Sequence, residues 1–336
     1  MVKRKVFVCL LAALTGLTGC REARQAEAEK SYPLEAIEMV APAGNGSGYD
    51  LTIRSIVQCL ENTGLVSVPL PVTNKPGGGG RISMEYLDEA RGRDNVISIF
   101  SPPICLINLN GSTDLNYVEN TTPIAQLVVD YGCFAVRADS PYQNLNDVMD
   151  RLKESPEAVS VGGTSSLGSM DHIQFLKIAR AAGVGNLRKI QYDGFENGGG
   201  VTQLMGGRVD ILSTGISDVV GLVESGDIRV LAVTSDKRLE GEIISQIPTC
   251  REQGIDAGFI TWRGLFGPGD MPEYAVEYWE RILKEMTETN EWKAICRKYG
   301  WTMEYKDHEQ FNEFLEQTNE EYRELLEEVG LSRKWR

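Results

Sequence analysis

From Ile37 onward, short apolar runs alternate with amphipathic stretches. Residues 36–42 predict a strand, followed by a glycine loop and a helix from residue 50 to about 61. Residues 66–73 read as a second strand, before another glycine loop and a helix through residue 90. Further strands are expected at 95–100, 124–128, 133–136, 159–162, 209–212 and 228–234, and helices at 145–153, 171–182, 273–288 and 307–329. In the last helix Phe311, Leu315, Tyr322, Leu325 and Val329 share one stripe at helical period, and the acidic opposite face reads as solvated surface. Strands separated by helices imply βαβ units and mostly parallel sheets. About 300 residues of this pattern exceed one core, which predicts two α/β domains. No linker separates them, so strands are expected to cross between the two and leave a cleft.

The first residues follow a different pattern. Lys3, Arg4 and Lys5 precede an apolar run at 6–14, and then comes Leu17-Thr18-Gly19-Cys20. This is the order of a secretory signal peptide, here 1–19. Its end resembles the lipobox of bacterial lipoproteins, which implies a lipid on Cys20 and a polar tether over 20–32. No later segment has the length of apolar sequence needed to span a bilayer as a helix.

Composition then narrows the chemistry. The 336 residues carry 34 Lys+Arg against 48 Asp+Glu, a net charge of −14. Loss of the three basic residues of the leader would take it to −17. That balance argues against a nucleic-acid partner, which requires a basic face. With only His172 and His308 in the chain, multi-histidine metal chemistry is not expected, and no metal or cofactor site is assigned. Cys59, Cys105, Cys133, Cys250 and Cys296 are scattered without C-x-x-C spacing. They read mostly as buried single thiols, with one pairing left open.

Glycine is the excess: 35 residues, of which sixteen fall in five short places, at 44/46/48, 77–80, 162/163/168, 194/198–200 and 206/207. In open α/β sheets ligands sit beyond the carboxyl ends of strands, and glycine there lets backbone N–H groups approach an anion. The first loop, Ala43-Gly44-Asn45-Gly46-Ser47-Gly48-Tyr49-Asp50, nearly reads G-x-G-x-x-G, but Tyr49 holds the last glycine position, so a dinucleotide fingerprint fails. Asp50 either caps the following helix or meets a ligand amine or ordered water. Asn74-Lys75-Pro76 with Gly77–Gly80 is either a turn or a ligand-facing loop. The third loop, Thr164-Ser165-Ser166-Leu167-Gly168-Ser169, offers several donors to a carboxylate. His172 beyond it is either a structural first-turn histidine or a general base. No G-x-S-x-G elbow surrounds the serines, and no acidic partner can be assigned, so catalytic residues are not assigned.

These loops occur in a fixed order with Tyr32-Pro33, Gly206-Gly207-Arg208-Val209-Asp210, Leu231-Ala232-Val233-Thr234-Ser235 with Arg238, and Pro248-Thr249 with Glu252 and Gly254. In that order the chain resembles the receptors of tripartite tricarboxylate transporters, the Bug family, from about residue 32 to its end. The resemblance implies a periplasmic-binding-protein fold of type 2: two α/β lobes, hinge crossovers and a central cleft closing on a small carboxylate. It places lobe 1 at 33–130 plus 245–336 and lobe 2 at 131–244. It carries ligand contacts onto residues 43–50 and 164–169, with Ser101 and Tyr192 lining the same cleft. Ser166 departs from the family's usual glycine, and Asn45 and Ser47 make the first loop more polar, so the resemblance specifies a class of ligand and not one solute. It further implies a monomeric, extracytoplasmic, lipid-anchored receptor that delivers a di- or tricarboxylate or related acid to two membrane subunits. Presentation of the ligand to a sensor, or a secreted enzyme on the same fold, are the alternatives.

Overall fold

The structure, a computed structural model, describes residues 31–195 and 199–333; the expected signal peptide, Cys20 and all but the end of the tether lie outside these residues. Where the described chain begins, Tyr32 is pinned. Its hydroxyl donates to the Asp94 carbonyl at 2.6 Å and accepts from Trp279 Nε1 at 2.8 Å, and its ring meets Tyr274 and Tyr278 edge-on.

Lobe 1 starts with β1 (Glu38–Ala41), α1 (Gly48–Thr63), β2 (Val72–Asn74), α2 (Arg81–Glu89), β3 (Val96–Phe100), α3 (Pro103–Leu109) and the one-turn α4 (Tyr117–Asn120). The chain then leaves along β4 (Thr121–Arg137). Lobe 2 contains α5 (Leu145–Glu154), β5 (Ser160–Gly163), α6 (Met170–Ala181), β6 (Gln191–Gly194), α7 (Gly200–Met205), β7 (Ile211–Gly215), α8 (Val220–Glu224) and β8 (Ile228–Val233). The chain returns along β9 (Ile260–Pro268), and α9 (Glu273–Glu288), α10 (Asn290–Tyr299), β10 (Thr302–Lys306) and α11 (His308–Val329) complete the molecule.

The expected mostly parallel sheet is corrected. Parallel pairings join β1 to β2 and β3, and β5 to β6 and β7. Around the crossover every pairing is antiparallel: β4 with β7, β8, β9 and β10, and β3 with β9. The strands expected at 124–128 and 133–136 are one strand of 17 residues. Its first part, from Thr121 to Tyr131, pairs with β9 in lobe 1, and its second, from Gly132 to Arg137, pairs with β7 and β8 in lobe 2. The single strand therefore belongs to both sheets, which is how two lobes arise without a linker.

The strand expected over 66–73 shrinks to Val72–Asn74 because Pro69 and Pro71 have no N–H for a ladder. Their carbonyls still accept from the Ile37 and Met39 amides at 3.0 and 2.9 Å, so this stretch guides β1 without being a strand itself. The elements β6, β9, β10, α3, α4, α7, α8 and α10 had no counterpart in the pattern reading. Among the described residues Cys59, Cys105, Cys133, Cys250 and Cys296 are all buried free thiols.

One apolar core runs through both lobes. It includes Phe100 and Ile104 of lobe 1, Ile173 and Phe175 of lobe 2, and Tyr322, Leu325 and Leu326 of α11 between them. The last helix thus packs its predicted stripe against both halves. Lys177 of α6 and Glu321 of α11 are ion-paired at 2.9 Å, and Arg188 Nε donates to the Glu328 carbonyl at 3.1 Å.

Candidate functional site

Two loops, one from each lobe, follow the carboxyl end of a parallel strand. In lobe 1 the β1–α1 loop is locked by its own polar groups. Helix α1 begins at Gly48 with Ser47 as its cap, Ser47 Oγ accepting from the Asp50 amide at 3.2 Å. This corrects the reading of Asp50 as the cap: Asp50 closes the loop from inside the first turn. Its Oδ2 accepts from the Gly46 amide at 2.9 Å, and its Oδ1 accepts from Arg54 Nε at 2.8 Å and Asn74 Nδ2 at 2.9 Å. Burial alone would raise this carboxyl's pKa; the bonds from Gly46, Asn74 and Arg54 outweigh it and hold the group below the usual carboxylate range. Asn74 Nδ2 also donates to the Ala43 carbonyl at 2.9 Å. Gly46 takes φ of +80°, a left-handed conformation that the tight Gly44–Ser47 turn needs.

With these bonds made, Gly44, Asn45 and Gly46 are exposed, and the Gly48 and Tyr49 amides are first-turn N–H groups with no i−4 carbonyl. Tyr49 turns inward and its hydroxyl shares a 2.5 Å hydrogen bond with Ser101 Oγ, which is itself buried at the end of β3. Burial pushes the Tyr49 pKa up, opposed by the nearby Arg263 charge and the bond to Ser101. The 77–80 segment forms a left-handed turn, with φ of +134°, +59°, +65° and +104°, leading into α2.

In lobe 2 the β5–α6 loop is braced by Asp171 and His172. Asp171 Oδ2 accepts from the Thr164 amide and hydroxyl at 2.8 and 2.7 Å, while the Asp171 amide donates to Ser165 Oγ at 2.9 Å. Asp171 Oδ1 is buried with no protein partner. Burial pushes the Asp171 pKa up to about 6, against the Thr164 bonds, and the charge of Asp218 adds to the rise. Ser169 precedes α6 without a side-chain cap bond. The Gly168 amide donates to His172 Nδ1 at 3.1 Å. An accepting Nδ1 leaves the ring proton on Nε2, and burial lowers the His172 pKa to about 4, so the ring is neutral. His172 lies 4.4 Å, ring to ring, from Tyr192, whose hydroxyl donates to the Ser165 carbonyl at 2.7 Å. His172 therefore holds the turn, and Ser166 and Leu167 are the exposed tip of this loop.

The structure thus brings 43–50 together with Ser101, and 164–169 together with Tyr192. One residue of this region was missed: Arg263. It lies on β9, its guanidinium 5.1 Å from the centre of the Tyr49 ring. The signal in the sequence was a single cation inside an otherwise apolar stretch, Phe259-Ile260-Thr261-Trp262-Arg263-Gly264-Leu265-Phe266.

A family model for the tripartite tricarboxylate transporter family receptor matches residues 58–331. The chain belongs to this receptor family. Among curated relatives, the protein BugT of Bordetella pertussis is 22% identical over 276 residues, 80% of this chain and 81% of that protein. Among solved structures, an R. palustris protein with adipate matches at TM-score 0.75 and 20% identity, over 89% of this chain and 99% of the other. MatC from Rhodopseudomonas palustris with bound malate matches at TM-score 0.71 and 17% identity, over 88% of this chain and 100% of the other. The two-lobed periplasmic-binding-protein fold is thereby established, and membership makes the chain a solute-binding receptor and not an enzyme.

Proposed function

We propose that this receptor captures a small carboxylate in the cleft between its lobes, through the loops at 43–50 and 164–169. The observation that carries the reading is the preorganisation of both loops. Asp50 and Asp171 consume hydrogen bonds inside each loop, and the first-turn amides of α1 are left for a ligand. An anion seated there gains oriented N–H groups at no reorganisation cost. The relatives that hold malate and adipate add support, since both are small dicarboxylates.

The receptor is further proposed to be a monomer, divided at about 130 and 245 into its lobes, and held outside the cytoplasm by a lipid on Cys20. Its partners would be the two membrane subunits of a tripartite transporter. Isothermal calorimetry against malate, adipate and citrate tests the ligand class, and absence of binding by every small carboxylate would sink it. Cys20→Ser should release the protein from membranes; continued sedimentation with them would refute the anchor.

A further inference from the structure

The two crossover strands meet the site with opposite charges. Arg263 on β9 is in register with Val128 of β4, and Asp130, two residues along β4, is in register with Thr261. Arg263 reaches toward lobe 1: besides facing the Tyr49 ring, its Nη2 lies 3.0 Å from where a Gly48 Cβ would stand. It is half-buried, and no carboxylate lies within ion-pair distance of it among the described residues. Burial raises the Asp130 pKa, opposed by the bond from the Tyr131 amide and the nearby Arg263 charge; it accepts hydrogen bonds from the Tyr131 amide at 2.8 Å and from the Ser217 hydroxyl at 3.3 Å. Ser217 lies in the turn after β7 of lobe 2, next to Asp218, which accepts from the Thr214 hydroxyl at 2.9 Å. The cation therefore faces the lobe 1 loop, and the acids face lobe 2.

A guanidinium with no carboxylate partner among the described residues can receive one in a two-pronged contact. A solute carrying carboxylates alone would meet Arg263 on one side and Asp130 with Asp218 on the other, where a second negative charge is repelled. A solute that also carries an ammonium group satisfies both walls. We propose that Arg263 and Asp130 are the specificity pair of this receptor, Arg263 taking the ligand carboxylate and Asp130 its ammonium group, so that the solute is a small amino-carboxylate. The inference rests on the carboxylate-receptor reading and sharpens it.

The test uses matched probes by calorimetry: L-aspartate against succinate, and L-glutamate against glutarate, on the mature chain and its variants. The amino member of at least one pair should bind about tenfold tighter or more, the scale of one charge-assisted hydrogen bond. Arg263→Gln should weaken both members of that pair by about tenfold or more. Asp130→Asn should weaken the amino member and strengthen its plain counterpart, inverting the preference. Asp218→Asn, on the exposed rim, gives a second route to the same shift, and ligand-free melting of each variant reports its folding. If succinate or glutarate binds as well as its amino partner, the specificity pair is wrong while the carboxylate reading stands. If no probe of either kind binds, the specificity pair falls, and the carboxylate reading falls with it only if malate, adipate and citrate also fail to bind.

Discussion

At the residue scale the site depends on atoms that are absent as much as on those present. A side chain at Gly48 would press on Arg263, and one at Gly46 would be strained in its left-handed backbone. Gly48→Ala is therefore expected to weaken ligand binding while leaving ligand-free melting close to the parent. Gly46→Val should lower both, because the backbone strain costs about 1–2 kcal/mol before any ligand arrives. Calorimetry with differential scanning of each variant separates the two; equal loss of melting temperature in both would contradict the assignment. Asp171 and His172, adjacent in the chain, titrate in opposite senses. His172 falls from 6.5 to about 4 through burial, so the stability it lends is full above pH 6.5 and is lost as pH falls toward 4. Asp171 rises from 3.8 to about 6 through burial, so its penalty is full above pH 6 and is relieved over the same descent. At about 1.4 kcal/mol per unit, each term is on the order of 3 kcal/mol, and they oppose one another. Urea denaturation between pH 6.5 and 4.5 should show a rising unfolding free energy on acidification for His172→Gln and a steep fall for Asp171→Asn. Profiles parallel to the parent in both variants would mean that neither group titrates as its burial demands.

At the element scale, what was legible and what was not divides along local against long-range causes. Two helices with capping boxes were read: α11 starts in an Asp307–Gln310 box and ends at Gly330 in a left-handed turn, and α5 starts in an Asn144–Asp147 box, whereas the short α10, capped by Thr289 and closed by Gly300, was not. The loops proposed as the site were legible as loops for the same reason, since clustered glycines and hydroxyls act within a few residues. The crossover was not, because its strands depend on partners far away. β4 looked like two strands divided at Tyr131-Gly132, yet Gly132 is there because the Gln174 side chain of α6 occupies the space of its missing Cβ. Gly264 interrupts the apolar run of β9 because the Phe311 ring occupies the corresponding space. Each glycine reads locally as a break and is, in the fold, the point where a strand admits a helix side chain. Gly264→Ala should accordingly destabilise the molecule by about 1–3 kcal/mol, as overpacking does. Thr234→Val probes the same crossover through polarity. Thr234 Oγ1 accepts from the Gly132 amide at 2.8 Å and donates to the Phe259 carbonyl at 2.6 Å, so the isosteric valine strands two buried groups at a cost of about 1–3 kcal/mol. Denaturant midpoints test both, and a neutral result at either would show that the crossover tolerates play.

At the scale of the whole molecule the charge and the site pull in opposite directions. The full chain carries −14, and much of it lies on helices such as α11, whose outer face holds Glu313, Glu316, Glu320 and Glu324. An anionic solute approaching from solution is repelled by this surface over roughly a Debye length, and only at the proposed site would it meet Arg263 and the α1 amides. Raising ionic strength from about 0.01 to about 0.15 M shortens the Debye length from about 30 to about 8 Å, which removes the long-range repulsion first. The short-range contacts, half-buried and directional, are screened far less. The association rate of a dicarboxylate should therefore rise with salt, opposite to the behaviour of receptors that steer a ligand of opposite charge. The dissociation rate should change little. Trp262 adjoins Arg263 in β9, so stopped-flow tryptophan fluorescence can follow both rates. An association rate that falls as salt is added would show that the field of Arg263 reaches beyond the cleft and outweighs the acidic surface. In Arg263→Gln the same experiment should retain the rise in association rate but show faster dissociation, because the surface charge sets the approach and the guanidinium sets the residence time.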